Sequence, residues 1–318
     1  MSAQSLGILS RGFKRVRIAD EAEDPGQLSR LAPNGPLAIR QGRARGPGAP
    51  FHRMGSLEVR LARNAAEIRQ AQELRYRVFY EERSAIADSA ATPEQRDADG
   101  FDDVCDHLLV FDCAQRGGQT TRRPPVVGTY RLLQQHVAER HHGFYSADEF
   151  DVSELLARHP TLRFLELGRS CVLAPYRNRR TVELLWHGIS AYVFQRNVDV
   201  MIGCASLEGT DPDRLALPLS YLHHFARAPE AWRTRALAHR YIDMNRMPKK
   251  AIDPRAALRK LPPLIKGYLR LGAYIGDGAV VDRQFGTTDV FIVLPVSAIK
   301  ARYIAHFGAS PPRRRAAA

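Results

Sequence analysis

Long hydrophobic runs are missing from this chain of 318 residues. No segment approaches the roughly 18–20 uninterrupted apolar residues that span a bilayer, and even 289–300 is broken by Pro295. No secretory leader is expected either. The apolar patch of the first 18 residues (Leu6, Ile8, Leu9) precedes Arg11, Lys14, Arg15 and Arg17, the reverse of the order that export requires. The expected location is the cytoplasm. Cysteine is scarce: the four, at 105, 113, 171 and 204, include no Cys-x-x-Cys pair. This argues against a disulfide framework and leaves no spacing for structural zinc. Cys105-Asp106-His107 and His223-His224 could ligate a metal but lack a third partner at defined spacing, so no metal is expected. Acidic residues fall short of basic ones, 34 against 47, and the net charge is +13. Such a surface attracts nucleic acid, anionic lipid or an acidic protein. The helix-turn-helix, zinc and aromatic-strand signatures of nucleic-acid readers are absent, so nucleic acid is not an expected partner.

What is present divides the chain. Residues 1–54 are rich in Arg, Gly and Pro without a sustained apolar period and read as a flexible basic arm. From Leu57 the pattern changes, and 55–310 read as one α/β domain, with a basic tail at 311–318. Leu57–Leu61 alternates as a strand, and 65–82 carries Ile68, Ala71, Leu74 and Val78 at helical spacing. Further strands are expected at 107–112, 126–133, 162–173, 199–205, 279–281 and 289–294, and helices at 181–197 and 263–273. Between them, 207–262 reads as an insert with helices at 215–225 and 232–241. From Asp213 to Lys250 it holds eight basic residues and three acidic ones.

Three clusters carry chemistry. Arg75 to Glu82 ends a helix and precedes a loop with Asp97, Asp99, Asp102, Asp103 and Asp106, five carboxylates that repel one another unless a cation sits among them. The loop is either a solvated acidic loop with caps or an ammonium-binding pocket. In Val127 to Leu132, Arg131 interrupts an apolar strand, either on its polar face or at a site. In Phe164 to Val172, Glu166 and Gly168 share a face, and Arg169 joins them only if the strand bulges at Gly168. A bulge would expose main-chain N–H donors beside a carboxylate. Thioester acyl transfer needs that pairing: donors for the carbonyl oxygen as it gains charge, and a base for the amine proton. Downstream, Arg177, Arg179, Arg180 and Thr181 lead into a helix whose free N–H groups can seat a phosphate. Cys171 reads as a packing residue, since no ordered Cys-His-Asn/Asp set accompanies it.

These residues resemble the GNAT superfamily. Arg75 with Phe79, Asp99-Gly100-Phe101-Asp102, Arg131 and Glu166-Leu167-Gly168-Arg169 follow in order the pattern of acyl-homoserine-lactone synthases. A closer resemblance is to the ornithine N-acyltransferases of bacterial ornithine-lipid synthesis. It is carried by 74–82, 101–110, 166–172, Gly203-Cys204-Ala205-Ser206 and 266–273, and runs from about residue 57 to Gly308.

The resemblance implies a GNAT-like fold with a central mixed, mostly antiparallel sheet and the basic helical insert. It implies transfer of a (3-hydroxy)fatty acyl group from acyl-carrier protein to the α-amino group of L-ornithine. No permanently bound cofactor is implied, only the phosphopantetheine of the carrier. The Gly-rich phosphate loop of the wider superfamily is replaced by 177–181, which favours an acidic carrier protein over acetyl-CoA. Implied catalytic residues are Glu166 and Arg169. Acceptor residues are Arg75, Phe79, Asp99, Asp102 and Arg131, and the donor lies along Cys171, Val172, Leu173, Arg177, Arg179, Arg180 and Thr181. Arg131 and Arg169 either bind the acceptor carboxylate or hold Glu166. The basic insert also suits peripheral contact with an anionic membrane. The alternatives are another amino acid as acceptor, a CoA-dependent enzyme, or a non-catalytic carrier- or lipid-binding protein.

Overall fold

The computed structural model describes residues 49–83, 85, 94–115, 124–300, 303, 306 and 307. Most of the arm and the whole of the tail lie outside the described residues. Eight strands form one sheet: β1 (His52–Met54), β2 (Leu57–Leu61), β3 (Asp106–Asp112), β4 (Val126–Gln134), β5 (Phe164–Val172), β6 (Val200–Glu208), β7 (Tyr274–Asp282) and β8 (Thr287–Pro295). Their order is β1-β2-β3-β4-β5-β6-β8-β7. Only β5 and β6 run parallel; every other pair is antiparallel. The expected mixed, mostly antiparallel sheet is therefore present, and it begins at His52, slightly before the change of pattern at Leu57.

The helices are α1 (Ala65–Tyr76), α2 (Gln135–Ala138), α3 (Val152–Arg158), α4 (Arg179–Arg196), α5 (Ala216–Phe225), α6 (Pro254–Lys260) and α7 (Pro263–Leu271). The crossover that a parallel pair requires is α4. Asn178 caps it by accepting from Thr181 N at 3.2 Å, and Asn197 ends it in the left-handed region at φ 50°. The cap contributes about 1 kcal/mol. Leu184, Leu185, Ile189 and Tyr192 are buried on the face toward the sheet, each contributing on the order of 1.5–3 kcal/mol. Packing therefore outweighs capping in holding α4. Gly188 makes the contact close: a Cβ there would stand 2.8 Å from Val59 Cγ2.

The sheet's period of two sorts its residues. Val59, Leu108, Leu165, Leu167, Met201 and Ile292 pack on the face that carries α4 and α7. Phe164, Ile202, Phe291 and Val293 pack on the other, under Phe150.

Two expectations are corrected. The helix expected over 65–82 is α-helical only to Tyr76, and Arg77–Glu81 continues as a π-helix. Residues 232–241 are not a helix. Apart from the 3₁₀ turn Glu230–Trp232, this stretch runs as irregular backbone along β7. The reason lies in β7, which loses register with β8 between Ile275 and Ala279 and so has main-chain groups to share. Asp277 N donates to Thr234 O at 2.7 Å and Ala236 N to Asp277 O at 2.9 Å. A tertiary partner thus satisfies the backbone that a helix would have satisfied internally.

Candidate active site

The sheet opens between β5 and β6. β5 and β6 pair over Phe164↔Val200, Leu165↔Met201 and Glu166↔Ile202, and no further. Beyond Glu166 the edge of β5 is no longer covered by β6. Gly203, at φ +152°, stands at the fork, where a Cβ would come within 2.4 Å of Leu167 O. A narrow crevice follows, bordered by Leu167, Gly203, Cys204, Tyr268 and Ile292.

A bulge is present, one residue later than Gly168. Thr129 pairs with Cys171 but Arg131 with Gly168, so Arg169 and Ser170 together oppose Tyr130. Arg169 takes φ 49°, a left-handed conformation rare for arginine. The bulge turns its guanidinium toward the acidic loop.

Three carboxylates of that loop, Asp97, Asp99 and Asp102, are paired within the chain. Arg75 reaches Asp102 through Nη1–Oδ1 at 2.7 Å and Nη2–Oδ2 at 2.6 Å, and its Nε pairs with Asp97 Oδ2 at 2.7 Å. Arg131 pairs with Asp99 at 2.5 Å and with Asp102 at 3.3 Å. Arg169 pairs with Asp99 at 3.1 Å and Asp97 at 3.3 Å. The cations among the carboxylates are therefore the chain's own arginines. Burial opposes the charge on Asp102, yet the Arg75 guanidinium holds its carboxyl well below the usual range. Asp99 keeps the most open side chain of the three aspartates, 27% exposed. Asp106 instead accepts from Tyr192 Oη at 2.6 Å, and Asp103 is exposed.

Arg131 and Arg169 pair with these aspartates and not with Glu166. Arg169 also donates to Tyr145 Oη at 3.3 Å, and it lies over the rings of Tyr145 and Phe285 at 4.8 and 5.0 Å. Phe79 meets Phe285 edge-on, with centroids 5.7 Å apart.

Glu166 is buried on the face opposite α4. Its carboxylate accepts from Tyr145 N and Ser146 N, both at 2.8 Å, and from Ser146 Oγ. Burial pushes its carboxyl up against these donors. Glu149, in the same short segment, reaches Cys204 Sγ at 3.3 Å and Arg240 Nη2 at 3.2 Å. Burial, with Asp289 adding, pushes Glu149 up to about 7. Glu149, Asp282 and Asp289 are the one group among the described residues whose ligand atoms converge closely enough for a metal ion, within 4.8 Å. Neither Cys105-Asp106-His107 nor His223-His224 joins such a group: His107 Nε2 meets Asp102 O at 2.9 Å and His224 Nε2 meets Met247 O at 3.0 Å.

The residues expected to seat the donor lie from the end of β5 to the start of α4. Cys171 is buried in one hydrophobic cluster with Leu74 and Leu109, and burial pushes its thiol far above the ordinary value, which suits packing and not nucleophilic attack. Arg177 donates to Val172 O at 2.8 Å and pairs with Glu82. Arg179 lies 3.6 Å from Glu183, Arg180 is exposed and Thr181 is fully buried.

Residues 74–187 match the acetyltransferase (GNAT) domain family. The chain is 56% identical over 261 residues to an L-ornithine N(alpha)-acyltransferase of Brucella abortus, covering 82% of this chain and 92% of the relative. It is 54% identical to one of Rhizobium meliloti, covering 82% and 87%. The chain belongs to the L-ornithine N(alpha)-acyltransferase family. A solved structure with a weaker likeness is the AHL synthase LasI, at 12% identity and TM-score 0.44, covering 82% of this chain and 100% of that one.

Within this acyltransferase family member, the expected site residues fall into two groups. Arg75, Asp99, Asp102, Arg131 and Arg169 form one ion-pair lattice, with Phe79 beside it through Phe285. Glu166 lies apart from their ion pairs, under Tyr145 and Ser146. The sequence reading missed Tyr145, Ser146, Glu149 and Phe285. The aromatic-acid run Phe144-Tyr145-Ser146-Ala147-Asp148-Glu149-Phe150 is a faint signal, with no fixed spacing to the other clusters.

Proposed function

We propose that the protein transfers a fatty acyl group from acyl-carrier protein to the α-amino group of L-ornithine. The parting of β5 from β6 beside two buried carboxyl groups carries the reaction type. The acceptor follows from the names of the relatives that match over 82% of the chain. The thioester lies along β5 beyond Glu166, where uncovered main-chain N–H groups stabilise the carbonyl oxygen as it becomes an oxyanion. The amine attacks directly, and Cys171 and Cys204, their thiols pushed up by burial, take no acyl group. Asp99 and Arg169, on the open side of the lattice, meet the charged ends of the acceptor. Arg177, Arg179 and Arg180 receive the phosphate of the phosphopantetheine arm and the acidic surface of its carrier.

The same basic surface, with the insert, brings the enzyme to anionic membrane, where its amphiphilic product belongs. Among the described residues no helix is long and apolar enough to cross one.

The test offers purified protein ornithine with acyl-carrier protein, long-chain acyl-CoA or acetyl-CoA as donor and detects N-acyl-ornithine by mass spectrometry. Product is expected with the acyl-carrier protein, at a rate that falls with salt. Faster turnover with acetyl-CoA overturns the donor, and no acylated ornithine with any donor overturns the reading.

A further inference from the structure

Two buried carboxyl groups stand near the fork of the sheet, Glu166 at the last β5–β6 pair and Glu149 against Cys204, and their hydrogen bonding differs in kind. A group that takes a proton from an amine needs a lone pair the incoming N–H can reach. Glu166 offers less: Oε1 accepts from Ser146 N at 2.8 Å and from Ser146 Oγ, and Oε2 accepts from Tyr145 N at 2.8 Å, three strong donors in all. Displacing these donors would leave buried main-chain N–H groups unpaired, at roughly 1–3 kcal/mol each. Glu149 Oε2 meets only the Cys204 thiol at 3.3 Å, a weak donor, and Oε1 meets Arg240 at 3.2 Å.

Position agrees with bonding. Cys204 borders the crevice and lies two residues beyond Ile202, the partner of Glu166, on the same face of the sheet. The main chain at Glu149 is fixed from both sides, its N donating to Ser146 O at 3.1 Å and its O accepting from Leu237 N at 2.9 Å. A carboxyl group is thereby held next to the crevice with its Cys204-facing oxygen weakly bound.

We infer that Glu149, and not Glu166, accepts the proton of the attacking α-amine, and that Glu166 is a positioning residue that fixes the Tyr145–Glu149 segment. This rests on the acyl-transfer reading of the crevice. The neutral amine attacks the thioester carbon and the C–N bond forms. The proton on nitrogen passes to the Glu149 carboxylate as the C–S bond breaks. The departing thiolate then takes that proton, and the carboxylate is restored.

The charged and titratable groups around Glu149 set its working range. Cys204 on β6, Asp289 on β8, Asp282 on β7 and Arg240 in the insert all act on it. Burial and Asp289 push its carboxyl up while Cys204 and Arg240 pull it down, leaving it at about 7.

The test is kcat against pH for wild type, Glu149→Gln, Arg240→Gln and Cys204→Ala, with ornithine and acyl-carrier donor. Wild type is expected to rise through a limb near pH 7. Glu149→Gln should lose about 10²-fold or more in kcat, with both KM values within about threefold, and should lose the limb. Removing Arg240 or the Cys204 thiol takes away a stabiliser of the carboxylate, so the limb should move to higher pH in each. Those two variants keep the inference testable if Glu149→Gln does not fold. A Glu149→Gln enzyme with near-normal kcat, or a limb unmoved in both other variants, overturns the assignment while acyl transfer stands. A wild-type enzyme that never acylates ornithine takes both readings down.

Discussion

The guanidinium of Arg75 and the carboxylate of Asp102 form two parallel hydrogen bonds, at 2.7 and 2.6 Å, with both side chains buried. A buried ion pair is poor evidence of net stability, but removing one carboxylate from it weakens the bonding of the buried guanidinium. Asp102→Asn leaves Arg75 with Asp97 as its charged partner and should cost about 1–3 kcal/mol, which lowers Tm by roughly 5 °C. Replacing both residues, as Arg75→Met with Asp102→Leu, should recover much of the loss. A Tm unchanged in Asp102→Asn would mean that the pair does not hold the loop. The sign of the pH effect follows from the depressed carboxyl of Asp102. The unfolded chain binds its proton more readily, so the contribution is complete above the ordinary carboxylate value and fades as pH falls toward the folded one. Wild type should lose stability in acid faster than Asp102→Asn does, measured by denaturant unfolding at stepped pH.

Gly203 sets the fork of the sheet. Gly203→Ala brings a Cβ against Leu167 O, where 2.4 Å is all the room there is, in a left-handed conformation that alanine rarely adopts. The expected cost is about 1–3 kcal/mol, with kcat falling more than stability because the crevice is bordered by the same residue. Full activity with unchanged Tm would argue that β6 can shift freely at this point.

Glu166→Gln separates positioning from proton transfer. An amide nitrogen would face the main-chain N–H of Tyr145 or Ser146, so at least one hydrogen bond is lost, at about 1–3 kcal/mol. Tm and kcat should both fall while the limb near pH 7 persists. Disappearance of the limb in this variant, with Tm intact, would return the proton to Glu166.

Membrane contact should be electrostatic. Leu219 and Leu222 of the insert are buried in the core, and Trp232 stacks on His159 with centroids 4.0 Å apart. Phe225, 44% exposed, is the large apolar residue of α5 left to solvent, with the Lys249 ammonium 5.3 Å from its ring. The protein should sediment with anionic vesicles at low salt and detach near 0.5 M, where the screening length is about 4–5 Å. Phe225→Ala should change this little. Binding that survives high salt and depends on Phe225 would instead mean insertion.

The sequence by itself determined the elements whose signal is local. Alternation in Leu57–Leu61, the helical stripe of α4 and the apolar runs of β6 and β8 each report burial on a period the backbone imposes, and all four appear with small changes of boundary. The residue types in order, from Arg75 to Arg169, were enough for the family, and strand parity alone said that Arg169 could share a face with Glu166 only through a bulge near Gly168. What the tertiary structure decided was which charges meet. Five carboxylates in one loop read as solvated or as open to a ligand, because the arginines that pair with Asp97, Asp99 and Asp102 come from α1, β4 and β5, far away in the chain. The same holds for 232–241, whose apolar spacing suits a helix until the exposed main chain of β7 competes for its hydrogen bonds. Glu149 and Cys204 stand 55 residues apart in sequence and 3.3 Å apart in space. Burial raises a carboxyl group, and a neighbour decides whether its lone pair is free. Both are properties of packing, so no local pattern could separate Glu149 from Glu166.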